Sequence, residues 1–367
     1  MKKNLTIFLF ASLSLIFLSC QSSKKESEKM VQDNVWILSY FKGQGNSPQE
    51  NALYLAYSRD GLHWTDLNNG KPAYVLEGIG GNRIRDPFIF KKNDGKFVLI
   101  ATDWTLWQTL QAVSEGYWSN PSPYLILADS DDLITWTNPR KIDFAQLSET
   151  ALANRKSHNW GNMHAWAPEV FYDEVRKSYG VIWSGDGDLE GNSVINRTYV
   201  NYTVDFENFS KPELFFELKD ENGENITEID ATLIQNGKSW YLFFKGEAND
   251  AKDIQEARSS SLNPGSFEII NNHKYITRGK NQNVQMYTEG PFVIKIPGKN
   301  LWYLYADFYG RDGQFGCWAT EDLEAPAEDW KLLDFSEYSL PQGVRHANTV
   351  KISEVQLAEL LKKSDIR

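Results

Sequence analysis

A short pattern recurs along this chain, and a recurring pattern limits the folds available more than any single motif does. Ser or Thr, then any residue, then Asp, with an aromatic four residues further on, occurs three times. The copies are Ser58-Arg-Asp60 with Trp64, Ser130-Asp-Asp132 with Trp136, and Thr203-Val-Asp205 with Phe209. Thr320-Glu-Asp322 is a weaker copy. The three stronger copies each follow a β-rich run, at 53–57, 124–128 and 198–202. The pattern reads as a strand, a polar turn held by the Asp carboxylate, and an aromatic returning to the core.

A second repeat sets the number of units. Five segments place a polar or small residue before a short apolar run: Arg85-Asp86-Pro87-Phe88, Trp166-Ala167-Pro168-Glu169, Ile229-Asp230-Ala231-Thr232, Glu289-Gly290-Pro291-Phe292 and Arg345-His346-Ala347-Asn348. Aligned on 86, 167, 230, 289 and 346, they are spaced by 81, 63, 59 and 57 residues. Each interval suits one four-stranded sheet with loops, which predicts an all-β, five-bladed β-propeller. The last unit has too few residues left for a blade, while the region from about 35 to 66 has strands but no anchor. The N-terminal strands are therefore expected to complete the last blade and close the ring. Only the C-terminal end reads as helical, with a Ser353/Gln356 capping box.

The first residues read as a targeting segment. Lys2 and Lys3 precede an apolar run that ends at Ser19-Cys20, which is too short for a comfortable membrane span. Ser19-Cys20 resembles a bacterial lipobox, with Cys20 as the lipid-bearing residue. The expected organisation is a signal peptide at 1–19, a flexible tether at 20–33, a propeller at 34–353 and a C-terminal helix at 354–367. The expected location is the bacterial cell envelope, with membrane contact through the lipid anchor only. The net charge of −11, from 38 basic and 49 acidic residues, argues against a nucleic-acid partner. Two cysteines exclude a disulfide framework and a Cys-based zinc site.

In a propeller the first strand of each blade lines the central channel. The five anchors should thus bring Asp86, Ala167, Asp230, Glu289 and His346 to one end of it. Like charges brought together cost stability and are usually retained for chemistry.

The ordered set Asp86-Pro87, Trp166-Ala167-Pro168, Ile229-Asp230 and Glu289-Gly290-Pro291 resembles glycoside hydrolase family 43, over residues of about 35 to 353. The resemblance implies an inverting glycosidase with Asp86 as general base and Glu289 as general acid. It implies Asp230 as the residue that orients that acid and tunes its proton affinity. Acid and base should stand roughly 6.5–9.5 Å apart to admit a water. Trp166, Trp104 and Arg345 are candidates for the sugar site, because aromatic rings stack on sugar faces and guanidinium binds hydroxyls or carboxylates. Trp107, Trp118, Trp160, His164 and Asp103 are weaker candidates, and Glu169 reads as a wall residue.

No cofactor is required for the chemistry, although the resemblance allows a calcium ion in the channel near His346. The substrate class it implies is carbohydrate, the activity removal of α-L-arabinofuranosyl or β-xylosyl units, and the assembly a monomer. Exo-β-1,3-galactosidase and a non-catalytic glycan-binding propeller are the rival readings. Arg85-Asp86-Pro87 also fits fructan-acting five-bladed families, but their Asn-Asp-Pro and Glu-Cys motifs do not occur.

Overall fold

Strands whose two faces are both apolar need a neighbour on each side, and here the neighbours are other sheets. The computed structural model describes residues 32–42, 47–104, 122–247, 252–278, 287–309 and 314–364. Blade I is β4 (Ile84–Lys91), β5 (Phe97–Asp103), β6 (Tyr124–Ser130) and β7 (Trp136–Asp143). Blade II is β8 (Trp166–Asp173), β9 (Ser178–Asp186), β10 (Asn196–Thr203) and β11 (Glu213–Phe216). Blade III is β13 (Asn225–Asn236), β14 (Ser239–Glu247), β15 (Asp253–Ser259) and β16 (Glu268–Ile269), with the extra strand β12 (Leu218–Lys219) beside β13. Blade IV is β17 (Glu289–Lys295), β18 (Trp302–Asp307), β19 (Phe315–Thr320) and β20 (Lys331–Leu332).

Blade V joins both ends of the chain. Its innermost strand is β21 (Val344–Ser353), followed outward by β1 (Asp33–Lys42), β2 (Tyr54–Ser58) and β3 (Thr65–Asp66). β1 pairs antiparallel with β21 from Asp33 opposite Ser353 to Lys42 opposite Val344. This is the closure that the sequence repeats required. Cys20, the signal segment, most of the tether, Trp107 and Trp118 lie outside the described residues.

The core is divided among the joints between blades. Successive residues of one strand face opposite neighbours. Trp36 and Leu38 pack towards blade IV with Phe292 and Tyr305, while Val35 and Ile37 pack towards blade I with Ile89 and Leu99. Tyr241 and Phe243 face blade IV, whereas Leu242 and Phe244 face blade II. Burying each such side chain contributes roughly 1.5–3 kcal/mol, so every joint is held by several residues from each side.

The turn repeat behaves as its chemistry requires. Asp60 Oδ1 accepts from the N–H groups of Leu62 and His63, and Ser58 Oγ accepts from Gly61 N–H. Ser130 with Asp132 and Thr203 with Asp205 make the same bonds. A fifth copy was not visible in the repeat: Ser259-Ser260-Ser261, where Ser261 Oγ replaces the carboxylate and accepts from Asn263 N–H at 3.3 Å.

Two helices are described. The expected one is α2 (Glu354–Ser364), where Gln356 Oε1 accepts from Ser353 N–H and Ser353 Oγ from Gln356 N–H. The other, α1 (Glu149–Ser157), stands between blades I and II and departs from the all-strand expectation for this segment. It lacks an apolar stripe, and the two residues it buries are the small Ala151 and the charged Arg155, a poor hydrophobic signal. Ser148 caps it by accepting from Ala151 N–H at 3.1 Å.

Candidate active site

Each blade's first strand carries the same defect near its start. Pairing with the second strand skips after Arg85, Trp166, Ile229 and Glu289, and the β1–β21 register shifts after Arg345. The residue at each skip is left-handed: Asp86 (φ 47°), Ala167 (φ 46°), Asp230 (φ 61°), Gly290 (φ 54°) and His346 (φ 33°). Such a bulge re-aims side chains into the channel. Holding a non-glycine residue there costs roughly 1–2 kcal/mol.

This register corrects one anchor. In blade IV the left-handed position belongs to Gly290, which can adopt it freely. Glu289 stands one residue earlier, level with Arg85, Trp166, Ile229 and Arg345. The shared feature of the five anchors is backbone conformation, which a pattern of polar or small residues before an apolar run places one residue early in blade IV.

His346 sits among the carboxylates. Its Nδ1 lies 3.4 Å from Asp86 Oδ1 and 3.9 Å from Asp230 Oδ2. Burial works against an imidazolium there, but Asp86, Asp230, Glu289 and Asp307 outweigh it and raise the His346 pKa. Thr102 Oγ1 donates to the other Asp86 oxygen at 2.6 Å. Burial raises the Asp230 pKa against the pull of His346. Asp230 Oδ2 also accepts from Gly290 N–H at 3.0 Å, which ties blade III to the residue beside Glu289.

Glu289 is gripped at both oxygens. Arg345 Nη2 donates to Oε1 at 3.0 Å, and Lys245 Nζ to Oε2 at 3.3 Å. Arg345 also pairs through Nε with buried Asp307, whose carboxyl burial pushes up to about 6 against the guanidinium. Lys245 is in turn 3.0 Å from Glu247 Oε1 and 4.5 Å from the centre of the Tyr309 ring. The expected trio Asp86, Asp230 and Glu289 thus belongs to one connected cluster with His346 and Arg345. Lys245 and Asp307 belong to it as well, and no motif pointed to them.

Just past the bulges, a polar group spans the channel. Asn348 donates to Glu169 Oε1, and Leu233 N–H donates to Glu169 Oε2 at 3.3 Å. Burial raises the Glu169 carboxyl to about 8. Glu169 is therefore a buried cross-link of the channel, in keeping with its reading as a wall residue.

The aromatic candidates divide. Trp166 is half-buried at the mouth, its ring 4.0 Å from that of His164. Trp104 is buried, and one face is covered by the Arg85 guanidinium, 4.4 Å from the ring centre. Arg85 in turn packs on Phe41 and donates to Asn51 Oδ1 at 3.1 Å. Asp103 is a loop tether, accepting from Gly81 N–H and Ser122 Oγ, both at 2.8 Å. Burial, with Arg155 nearby, lowers the His164 pKa to about 3, so this ring is neutral; its backbone N–H donates to Asp186. Trp160 follows α1 and stacks on His158, at 4.6 Å between ring centres.

Among the described residues no group of three or more His, Cys, Asp or Glu side chains could hold a metal ion. The Nδ1 of His346 faces two carboxylates, those of Asp86 and Asp230.

The profile of a family described as "Probable glycosyl hydrolase domain", related to glycoside hydrolase family 43, matches residues 33–358. No curated protein matches the sequence. Among solved structures, an endo-1,4-β-xylanase from Bacteroides thetaiotaomicron shares the fold at a TM-score of 0.53 and 11% identity, covering 83% of this chain and 94% of that one. A family-43 β-1,3-galactosidase matches at 0.50 and 10%, covering 78% and 54%. The catalytic domain of a Coprinopsis cinerea family-62 α-L-arabinofuranosidase matches at 0.45 and 18%, covering 71% and 70%. With its five blades and its cluster of carboxylates at the channel, the chain belongs to the probable glycosyl hydrolase domain family related to glycoside hydrolase family 43, and it is a glycoside hydrolase.

Proposed function

We propose that this enzyme hydrolyses glycosidic bonds with inversion and releases pentose units, α-L-arabinofuranosyl or β-xylosyl, from polysaccharide or oligosaccharide chains. The observation that carries the reading is the joining of Asp86, Asp230 and Glu289, from blades I, III and IV, through His346 and Gly290. Asp86 acts as general base. Thr102 fixes one of its oxygens, and the other takes the proton from the attacking water. Glu289 protonates the departing oxygen, and Asp230 positions it through the Gly290 N–H. The pentose assignment rests on the family resemblance. The galactosidase of matching fold favours β-1,3-galactoside as a second reading.

A panel of nitrophenyl arabinofuranoside, xyloside and galactoside separates these substrates. Proton NMR of the first-formed sugar tests the mechanism: the anomer is expected to be inverted, and a retained anomer would refute the assignment of Asp86 as base.

The proposal includes export and lipid attachment at Cys20. β1 enters the propeller at Asp33, beside Ser353, at the opposite end of β21 from Arg345 and His346. An anchor preceding Asp33 would therefore leave the channel mouth facing away from the membrane. Cys20→Ser should release the protein from membranes; a wild-type protein already in the soluble fraction would reject the anchor.

A further inference from the structure

In each blade the residue opposite the one preceding the bulge lies on the second strand. These residues are Thr102, Ser184, Lys245, Asp307 and, in blade V, Phe41. In blades I, II and IV this position supplies an acceptor for the left-handed residue of the next blade. Ala167 N–H donates to Thr102 Oγ1 at 2.9 Å, Asp230 N–H to Ser184 Oγ at 2.9 Å, and His346 N–H to the Asp307 carboxylate.

Blade III breaks the pattern. An ammonium carries donors only and cannot accept. The N–H of Gly290 therefore goes to Asp230 Oδ2. Lys245 is buried, yet it has negative partners at Glu289 and Glu247, and an aromatic face at Tyr309. The exchange of an acceptor for a cation has two effects at one place. It brings a positive charge to Glu289, and it commits Asp230 to the backbone beside Glu289.

We propose that Lys245 is a positioning residue that fixes the Glu289 carboxyl and sets how readily it holds its proton. The inference rests on the reading of Glu289 as the acid. The charged and titratable groups facing Glu289 are Lys245 from β14, Arg345 and His346 from β21, Asp307 from β18, Asp230 from β13 and, beyond β18, the neutral Tyr309 hydroxyl. Glu247, also on β14, holds the far side of Lys245. Of these groups, Lys245 and Arg345 are the cations that contact the Glu289 oxygens. Each cation is shared with a second carboxylate, Arg345 with Asp307 and Lys245 with Glu247, and Lys245 is the one that holds the second Glu289 oxygen.

The test compares wild type with Lys245→Met and Lys245→Arg in two readouts. One is the carbon-13 titration of the Glu289 carboxyl, its resonance identified by its loss in Glu289→Gln. The other is the pH profile of kcat/KM on the best nitrophenyl glycoside. In Lys245→Met the titration midpoint and the upper limb of the profile should both rise by about one pH unit, while Lys245→Arg should keep both near wild type. An unmoved midpoint in Lys245→Met, or an equal shift in Lys245→Arg, overturns the inference. A midpoint that rises while the limb stays in place upholds the hold of Lys245 on Glu289 and overturns Glu289 as the acid. Should Lys245→Met fail to fold, Lys245→Ser, which restores the hydroxyl of blade II, gives the same readouts.

Discussion

Glu169→Gln removes one proton-binding site from the channel while keeping its shape. Burial lifts the Glu169 carboxyl to about 8, although Thr232, Asn348 and the Leu233 N–H all favour the ionised form. An unfolded glutamate ionises near about 4.3. Between these values the folded chain keeps a proton that the unfolded chain releases. Stability therefore falls as pH rises from about 4 to about 8. At pH 7 this loss amounts to about 4 kcal/mol. Gln bears none of it. It keeps an oxygen for Asn348 but turns an NH2 towards Leu233 N–H, giving up a 3.3 Å bond worth about 1 kcal/mol. The variant should gain about 3 kcal/mol at pH 7, a rise in Tm of roughly 4 °C. At pH 4 it should be slightly less stable than wild type. Thermal melts of both proteins from pH 4 to pH 8 give the answer. Equal Tm values at pH 7, or a gap that widens towards acid, would refute a neutral, buried Glu169.

Glu289→Gln should cut turnover on natural glycans by at least about 100-fold while sparing aryl glycosides with good leaving groups; equal losses on both would remove Glu289 from the acid role. Gly290→Ala would put a Cβ 2.9 Å from the His346 ring at a φ of +54°. It should lower kcat by about tenfold or more with little change in KM, as steady-state kinetics would show. Arg155 is buried and donates to Gly161, Asn162 and Asp186. Arg155→Met should destabilise the protein by about 3 kcal/mol or more in urea unfolding, since it strands Asp186.

What the sequence reveals about this fold lies in its backbone exceptions. The five blade starts are legible because each bulge is followed by Pro or Ala and then an apolar run. The same reading misplaces one anchor, since Glu289 carries the charge but Gly290 carries the conformation. Lys245 is hidden for another reason. It lies in the run Phe243-Phe244-Lys245 and resembles the polar end of a strand, and only pairing with Ile229 reveals that it stands where Thr102 and Ser184 stand. Asp307 is hidden in the same way, opposite Glu289. Helix α1 escapes notice because its buried anchor is a guanidinium, and the blade III turn because serines replace its Asp. Motifs disclose what lies along one strand; partners across a sheet need the register.

The ring joins the first strand of the propeller made to the last, and this fixes when the site comes into being during synthesis. A chain interrupted before residue 344 already holds Asp86, Asp230 and Glu289. It lacks the imidazole that sits between the first two and the guanidinium that holds the third. It also leaves the inner edge of β1 unpaired, because β21 covers that edge. Until β21 seats, the three carboxylates repel one another with neither His346 nor Arg345 to offset them. Completing the cluster and sealing the ring are therefore one event.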